Sequence, residues 1–392
     1  MGAPVTLATP VRTPARKRSP SKRLANILRS ELWFADGNII IIASSVAFKV
    51  HRGQLRRHSE VFDDLFSIPQ PKDQDMYDGC PWVEVYDCPS DVLYFLRALY
   101  DGLYFRTPGA NDFPAVAAVL RLSTKYLVEH LRQRCMARLE VDWPSTLAAW
   151  DQREQAATDA FGHYQPRASC PHPLLVIDLA LALGPDLAHL LPAALYDLSR
   201  YGPSKILSGT PAPPLSLALP SSHPAYASHT RAARKPTLPA PALLLTTFRG
   251  REAAQAYLAA FISTHLHARA PAPLCAYLED EPPARHACRE SFYFIMLNLL
   301  RSVGGIACGR DADPLFTLLQ SVEMLERTDF SDGTRVCGLR MCAACKVDFR
   351  ECAGRAREEV WGLLPGWFGL EGEGEGRATQ QKEARDEMGM DM

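Results

Sequence analysis

The apolar positions at the start of the chain repeat with the period of a helix. They stand at i, i+3, i+4 and i+8 behind Ser21, a residue type suited to capping a helix N-terminus. The pattern therefore predicts a short first helix. Its apolar face would consist of Leu24, Ile27, Leu28 and Leu32.

The pattern then changes to that of strands. Residues 39–42 are four consecutive isoleucines, residues 44–45 are a Ser-Ser break, and residues 46–50 are again rich in apolar side chains. Such a run predicts two strands joined by a tight hairpin. A third short strand is predicted at 83–86, after a polar, Pro-bounded loop at 69–81.

Helical spacing returns after the hairpin and dominates the rest of the chain. It begins with His51, Leu55, Ser59, Phe62 and Phe66. Further helices are predicted at 90–100, 114–123, 125–139, 146–160, 174–183, 187–201, 243–267, 291–303 and 314–325. The sequence therefore predicts an α+β fold, in which short strands pack against a helical cluster and a mostly α-helical C-terminal region follows.

Composition divides the chain further. Residues 203–241 contain nine prolines and little charge, which is typical of a linker. We expect residues 1–20 to be a disordered basic arm and residues 371–392 a disordered acidic tail. The predicted domains are 21–142, 143–202 and 242–370, the last with a cysteine-rich segment at 337–352.

Charge and cysteine content narrow the class of protein. The chain has 392 residues, 47% of them hydrophobic, and a formal net charge of −1. This balance argues against a globally basic nucleic-acid-binding surface but leaves local patches open. Because the sequence contains no zinc-finger, basic-helix or homeodomain signature, we expect no direct nucleic-acid contact. Eleven cysteines and the lack of an apolar signal core favour reduced thiols in the cytoplasm or nucleus. The longest apolar stretch, 292–300, is too short to span a bilayer.

The N-terminal arm has two further interpretations. Its basic residues, with no acid among residues 1–23, suit either a solvated arm or a nuclear-import signal. The start also satisfies the loose pattern for N-myristoylation at Gly2. Because so short a pattern often matches by chance, we expect no membrane partner. The basic residues are Arg12, Arg16, Lys17, Arg18, Lys22 and Arg23.

Three segments in the first third of the chain carry a family resemblance. In order, they are DGNIIIIASSVAFKVHRGQLRRHSEVFDDLFS, VEVYDCPSDVLYFLRALYDG and LRLSTKYLVEHLRQRC. The most specific part is F-K-V-H-R-x-x-L-x-x-x-S-x-x-F-x-x-x-F at 48–66. Together they resemble a BTB/POZ domain over residues 24–140. Two later segments, LLPAALYDLSRYGPS and FYFIMLNLLRSVGG, are similar to fungal BTB proteins of the basidiomycete type.

The resemblance implies protein–protein interaction rather than catalysis. BTB domains form homodimers, commonly through the first helix, which here would place Leu24, Ile27, Leu28 and Leu32 in the interface. Many connect a cullin ubiquitin-ligase scaffold to a substrate protein, and others recruit transcriptional co-repressors through a charged pocket. Asn38 takes the acidic position of that pocket in an ungapped alignment. The residues implied in partner binding are Met76, Tyr77 and Asp78 for a cullin, and Asp36 and Arg52 for the pocket.

Cysteine spacing is the main chemical signal in the second half. Cys342 and Cys345 form a C-x-x-C pair, which can present two zinc ligands from one tight turn. With Cys337 and Cys352 nearby, the segment is a candidate for a structural zinc site. Cys275 and Cys288, with His286 beside them, are thirteen residues apart and do not have the spacing of a second pair. Ordinary buried or surface thiols are therefore the favoured interpretation, with structural zinc, or a redox pair in a strand-to-helix setting, as the alternatives.

The leading functional hypothesis is an interaction adaptor that dimerises and connects a cullin scaffold to an unidentified substrate protein. A nuclear transcription co-regulator that acts through partners is the alternative, and an enzyme of unknown type is the third. The sequence contains no nucleophile elbow and no zinc-hydrolase helix motif, so we predict a protein that is not an enzyme. We predict no cofactor, and a structural zinc ion is the alternative.

Overall fold

The computed structural model describes residues 27–69, 76–102, 112–157, 170–211, 236–281, 284–303, 312–328, 330–331 and 336–370. The chain divides into two compact units. The first contains residues 1–104, 115–134 and 215–229, and the second contains residues 105–114, 135–214 and 230–392. The predicted basic arm, the predicted acidic tail and Leu24 lie outside the described residues.

A five-stranded sheet forms the centre of the first unit. Its strands have the spatial order β1-β3-β2-β5-β4. β2 and β3 are the predicted antiparallel hairpin, while β1 lies parallel to β3 and β5 parallel to β2. Every residue of β2 and β3 is buried, and strands buried on both faces read as continuous apolar runs. The strands are β1 (Leu28–Trp33), β2 (Ile39–Ala43), β3 (Val46–Val50), β4 (Met76–Tyr77) and β5 (Cys80–Val85).

The predicted first helix is wrong where the structure describes it, because Leu28–Trp33 is the strand β1. Its side chains alternate with a period of two: Ser30 is buried, whereas Arg29 and Glu31 on either side are exposed. Leu28 and Leu32 are half-buried and share the side of Ser30. Pairing with β3 therefore overrides the helical spacing, part of which depends on a leucine outside the described residues.

Helices follow β3 and β5, and the predicted helical run that begins at His51 is divided in two. Ser59 has an extended backbone, with φ −133°, between α1 and α2. Its hydroxyl accepts a hydrogen bond from the backbone N–H of Phe62 at 3.1 Å and donates to the carbonyl oxygen of Tyr126 at 2.6 Å. Ser59 thus caps α2 and ties it to the end of α4. The helices are α1 (Arg52–His58), α2 (Glu60–Ser67), α3 (Pro89–Asp101), α4 (Phe113–Lys125) and α5 (Glu129–Asp142).

The predicted loop at 69–81 contains a small hairpin. Met76 pairs with Pro81 and Tyr77 with Cys80, which makes β4 and β5 antiparallel. The turn is Asp78-Gly79, with φ 48° and 73°. Asp-Gly with positive φ at both positions is a two-residue hairpin turn whose twist matches that of the strands.

The second unit consists mainly of helices, and those predicted from spacing are present. α13, with 25 residues, was not predicted. Two 3₁₀ turns each precede a helix: Pro185–Leu190 lies before α8, and Ala284–His286 lies before α11. A π turn, Ile262–Leu266, follows α10. The helices are α6 (Leu147–Ala156), α7 (Pro173–Leu183), α8 (Leu191–Ser199), α9 (Pro203–Ser208), α10 (Pro241–Phe261), α11 (Ala287–Val303), α12 (Pro314–Glu323) and α13 (Ala343–Trp367). Two short strands, β6 (Phe330–Ser331) and β7 (Val336–Cys337), pair in antiparallel orientation.

Both ends of the predicted linker at 203–241 have defined structure. α9 occupies its start, and Thr210 and Thr237 exchange two backbone hydrogen bonds of 3.0 and 2.8 Å. A Cβ on Gly209 would lie 2.1 Å from the carbonyl oxygen of Thr237, so this close approach requires glycine. Residues 212–235, between these ends, lie outside the described residues.

A buried network of charges connects α6, α8 and the start of α12. Arg153 and Arg200 both contact the carboxylate of Asp197. Arg200 also pairs with Glu154 at 2.8 Å and with Asp313, which precedes α12, at 3.0 Å. These five side chains are at most 16% exposed. Because a buried carboxylate without a partner is strongly destabilising, the network fixes the relative positions of these helices.

Gly250 in α10 provides a test of how tightly the second unit is packed. A Cβ at this position would lie 1.9 Å from the ring of Phe368, which is buried. We therefore predict that Gly250→Ala lowers the free energy of unfolding by about 1–3 kcal/mol through overpacking, although alanine favours helix. The matched control is Gly354→Ala in α13, where nothing lies within 4 Å. The control should raise the free energy of unfolding by about 0.5–1 kcal/mol, and denaturant unfolding measures both changes. Equal effects of the two substitutions would contradict the close contact between Gly250 and Phe368.

Candidate metal centre

Four cysteines of the second unit come from three segments that meet where two helices begin. Cys275 lies in a series of turns before α11, in which its backbone N–H donates to Ala272 O at 2.9 Å. Cys288 is the second residue of α11. Cys342 immediately precedes α13, and Cys345 lies in its first turn. The local structure therefore presents two sulfur atoms from one helix start and one from each of the other two segments.

The four sulfur atoms are close enough together to bind one metal ion. All lie within 4.8 Å of one another, and all four residues are buried. The sulfur of Cys275 is 3.7 Å from that of Cys288 and 3.7 Å from that of Cys342. A tetrahedron with metal–sulfur bonds of about 2.3 Å has edges of about 3.8 Å. A disulfide would instead need about 2.05 Å, and all four cysteines are free thiols.

Backbone N–H groups are directed at the sulfur atoms. The N–H of Cys342 donates to Sγ of Cys288 at 3.3 Å, and the N–H of Ala272 donates to Sγ of Cys345 at 3.3 Å. The two helix N-termini at the centre also carry partial positive charge. Both features stabilise a thiolate, which is the form of cysteine that binds metals.

Burial and these hydrogen bonds move the cysteine pKa values in different directions. Burial raises the pKa of Cys288 to about 11 and raises the pKa of Cys345 still further. Burial also opposes ionisation of Cys342, but hydrogen bonds from the backbone N–H groups of Cys345 and Ala276 outweigh it and lower its pKa to about 7. A metal-free centre therefore holds protons that a bound cation must displace.

The structure brings together only part of the predicted ligand set. Cys342 and Cys345 belong to the group, but their partners are Cys275 and Cys288. The prediction of Cys352 as a ligand is not supported, because Cys352 does not belong to this group. It lies two helical turns beyond Cys345 on α13, and its sulfur is 3.6 Å from Nη1 of Arg269. Cys337 lies in β7, and its side chain is outside the described part of the structure.

The two residues of the predicted charged pocket make contacts within the first unit. Asp36 Oδ1 is 3.2 Å from Nε2 of His51, and this hydrogen bond lowers the pKa of Asp36. The guanidinium of Arg52 contacts the carbonyl oxygen of Phe66 and lies over its ring, 5.1 Å from the centroid. The Arg52 side chain thus has a role in packing.

The predicted cullin-binding residues form the β4–β5 hairpin. Met76 is 55% exposed, and Tyr77 packs edge-on against Trp33 with 6.2 Å between ring centres. The carboxylate of Asp78 pairs with Lys49 at 3.2 Å and Arg29 at 2.9 Å, and these contacts lower its pKa. Of the three, only Met76 presents a largely exposed side chain.

No protein-family model matches the chain, and no curated protein matches it. Among the described residues, no helix is both long and apolar enough to cross a membrane. Within those same residues, the four cysteines are the group of metal-binding side chains that converges. This group is therefore the candidate functional site.

The pKa values predict how metal binding depends on pH. Cys288 and Cys345 are protonated at neutral pH without metal, so binding must release at least these two protons. Affinity for a divalent ion should therefore rise with pH by at least about a hundredfold per unit between pH 6 and 8, since each released proton contributes about tenfold. Competition against a chelator of known affinity measures this slope. A pH-independent affinity would contradict coordination by these thiols.

Proposed function

We propose that the second unit binds one structural zinc ion through Cys275, Cys288, Cys342 and Cys345. The proposal rests on four buried sulfur atoms that lie within 4.8 Å of one another. Soft thiolates in a tetrahedral arrangement are the ligand set of structural zinc sites. Because the protein supplies all four ligands, no position is left for the water or substrate that a catalytic zinc binds.

The ion would act as a cross-link between distant parts of the chain. Cys275 lies in a segment of turns, while Cys288 and Cys342 lie 54 residues apart at the starts of α11 and α13. Structural zinc binding contributes about 10–16 kcal/mol in small zinc domains. Because whole domains are stable by only about 5–15 kcal/mol, loss of the ion should unfold this part of the chain.

Substitution of single ligands tests the zinc proposal. We predict that Cys288→Ser or Cys345→Ser reduces the zinc content from one ion per chain to less than about a tenth, because serine is a poor zinc ligand. The matched control is Cys352→Ser, a buried cysteine of the same helix as Cys345, which should retain the full ion. Elemental analysis of the purified chains gives the content. Loss in the control but not in the ligand variants would contradict the assignment.

For the first unit we propose a BTB/POZ-type interaction module that forms homodimers and connects a cullin scaffold to a substrate protein. The apolar residues behind the resemblance are buried, which supports the proposal. Phe48, Leu55, Phe62 and Phe66 are buried, and Ser59 caps α2 between them. Ile27, Leu28 and Leu32 remain the predicted dimer contacts, now on and beside the edge strand β1.

Two exposed apolar side chains favour partner binding at one end of this unit. Tyr86, directly after β5, is 90% exposed, and Leu127, between α4 and α5, is 55% exposed. Asp87 accepts hydrogen bonds from Lys125 Nζ at 2.7 Å and from the Tyr126 hydroxyl at 2.5 Å, which holds the two segments together. Leu127 has φ 53°, a conformation that costs a non-glycine residue about 1–2 kcal/mol. An exposed leucine is therefore present where glycine would be more stable.

This end is distinct from the β4–β5 hairpin. The hairpin turn precedes β5 and Tyr86 follows it, so the six residues of the strand separate them by about 17–20 Å. Substitutions at one surface therefore leave the side chains of the other in place, so the two can be tested separately.

Calorimetric titration of the full chain with the N-terminal region of a cullin scaffold tests the adaptor proposal. Tyr86→Ala and Leu127→Gly should each weaken binding by about tenfold, because truncation removes an exposed apolar anchor. Leu127→Gly also relieves the strained φ, so the variant should stay folded. Weakening by Met76→Ala or Asp78→Ala instead would assign the contact to the hairpin. A folded dimer that does not bind would contradict the adaptor proposal and favour the co-regulator.

A further inference from the structure

A largely buried arginine lies against both helices that begin at the four-cysteine group. Arg269, after the π turn, has a side chain that is 14% exposed. Its guanidinium carbon is 5.3 Å from the ring centre of Phe292 on α11 and 5.6 Å from that of Phe349 on α13. The two rings are 5.9 Å apart. Aromatic rings attract a cation at this range, so the guanidinium is held between the helices.

Sequence neighbours place this guanidinium about one helical turn from the cysteine group. Phe292 follows Cys288 by four residues, and Phe349 follows Cys345 by four residues. Residues four apart share one face of a helix, with Cβ atoms about 5–6 Å apart. Ala272, three residues after the arginine, donates its N–H to the sulfur of Cys345 at 3.3 Å. Each of the three segments therefore links the arginine to the centre within about one helical turn.

The charge of such a centre explains why a cation belongs there. Four thiolates around one Zn²⁺ carry a net charge of −2, and burying that charge is unfavourable without compensation. Arginine stays protonated at any physiological pH. The ion pair of Arg269 with Asp348, 2.6 Å from Nη2 to Oδ2, cancels its charge only in part, because the Asp348 carboxylate is 43% exposed to screening water.

Hydrogen bonding does not saturate the guanidinium either. Nη1 donates to the carbonyl oxygen of His265 at 2.9 Å and lies 3.6 Å from Sγ of Cys352, while the buried Nε has no hydrogen-bond partner among the described residues.

We propose that Arg269 is the counter-cation of the zinc centre, a positioning residue whose charge raises the zinc affinity of the four thiolates. This inference rests on the proposed zinc site. Asp348 and the zinc centre would compete for the charge of Arg269. Substitutions of Arg269 and of Asp348 should therefore change the zinc affinity in opposite directions. A merely structural ion pair would give effects of the same sign.

Zinc affinity of the full-length chain, measured by competition with a chromophoric chelator, tests the inference. Arg269→Gln should weaken binding by about tenfold to a hundredfold, the range found for groups that support metal ligands. Arg269→Lys keeps the charge and should recover most of the affinity. Asp348→Asn should strengthen binding by about twofold to fivefold, the size of a partly exposed ion pair. The matched control is Arg350→Gln, which removes an exposed arginine of α13 paired with Glu326 and should change little.

Two outcomes would overturn the inference while leaving the zinc site intact. In the first, Arg269→Gln binds zinc as tightly as the unmodified chain. In the second, Asp348→Asn weakens binding as much as Arg269→Gln does, which is the signature of a structural ion pair. An unmodified chain that binds no zinc would instead refute the zinc site, and the inference with it.

Discussion

Four cysteine sulfur atoms lie within 4.8 Å of one another in the interior of the second unit, and what holds them together decides how its segments meet. Thiols are weak hydrogen-bonding groups, so four of them in contact add little beyond apolar burial, and four thiolates would repel one another. A bound metal ion would remove this repulsion. It would also require the turns around Cys275 and the starts of α11 and α13 to meet, and the backbone N–H groups directed at two of the sulfur atoms favour negative charge there.

Those parts of the fold that depend on local pattern could be predicted. The isoleucine hairpin and most helices follow from the spacing of neighbouring residues. β1 could not be assigned this way, because Leu28 and Leu32 suit both a helix and a strand, and the pairing with β3 decides between them. The Asp78-Gly79 turn carried a usable hairpin signal, but β4, the strand before it, has two residues and is too short to show alternation.

Of the four cysteines in the candidate site, two could be predicted from the sequence and two could not. Cys342 and Cys345 could be predicted because both ligands come from one turn. Cys275 and Cys288 are thirteen residues apart and lie 54 or more residues before that pair, so their approach depends on how α11 packs beside α13. The distance along the chain to Cys352 is shorter, yet the helix carries its side chain two turns away from the centre. Proximity in sequence is therefore misleading within a helix.

The central claim is that one zinc ion is held by sulfur alone. X-ray absorption spectroscopy at the zinc edge of the purified full-length chain tests it most directly, because the method reports the identity and distance of the ligand atoms. The account predicts four sulfur neighbours at about 2.3 Å. Nitrogen or oxygen neighbours at about 2.0–2.1 Å, or a chain that retains no zinc when purified in its presence, would contradict it.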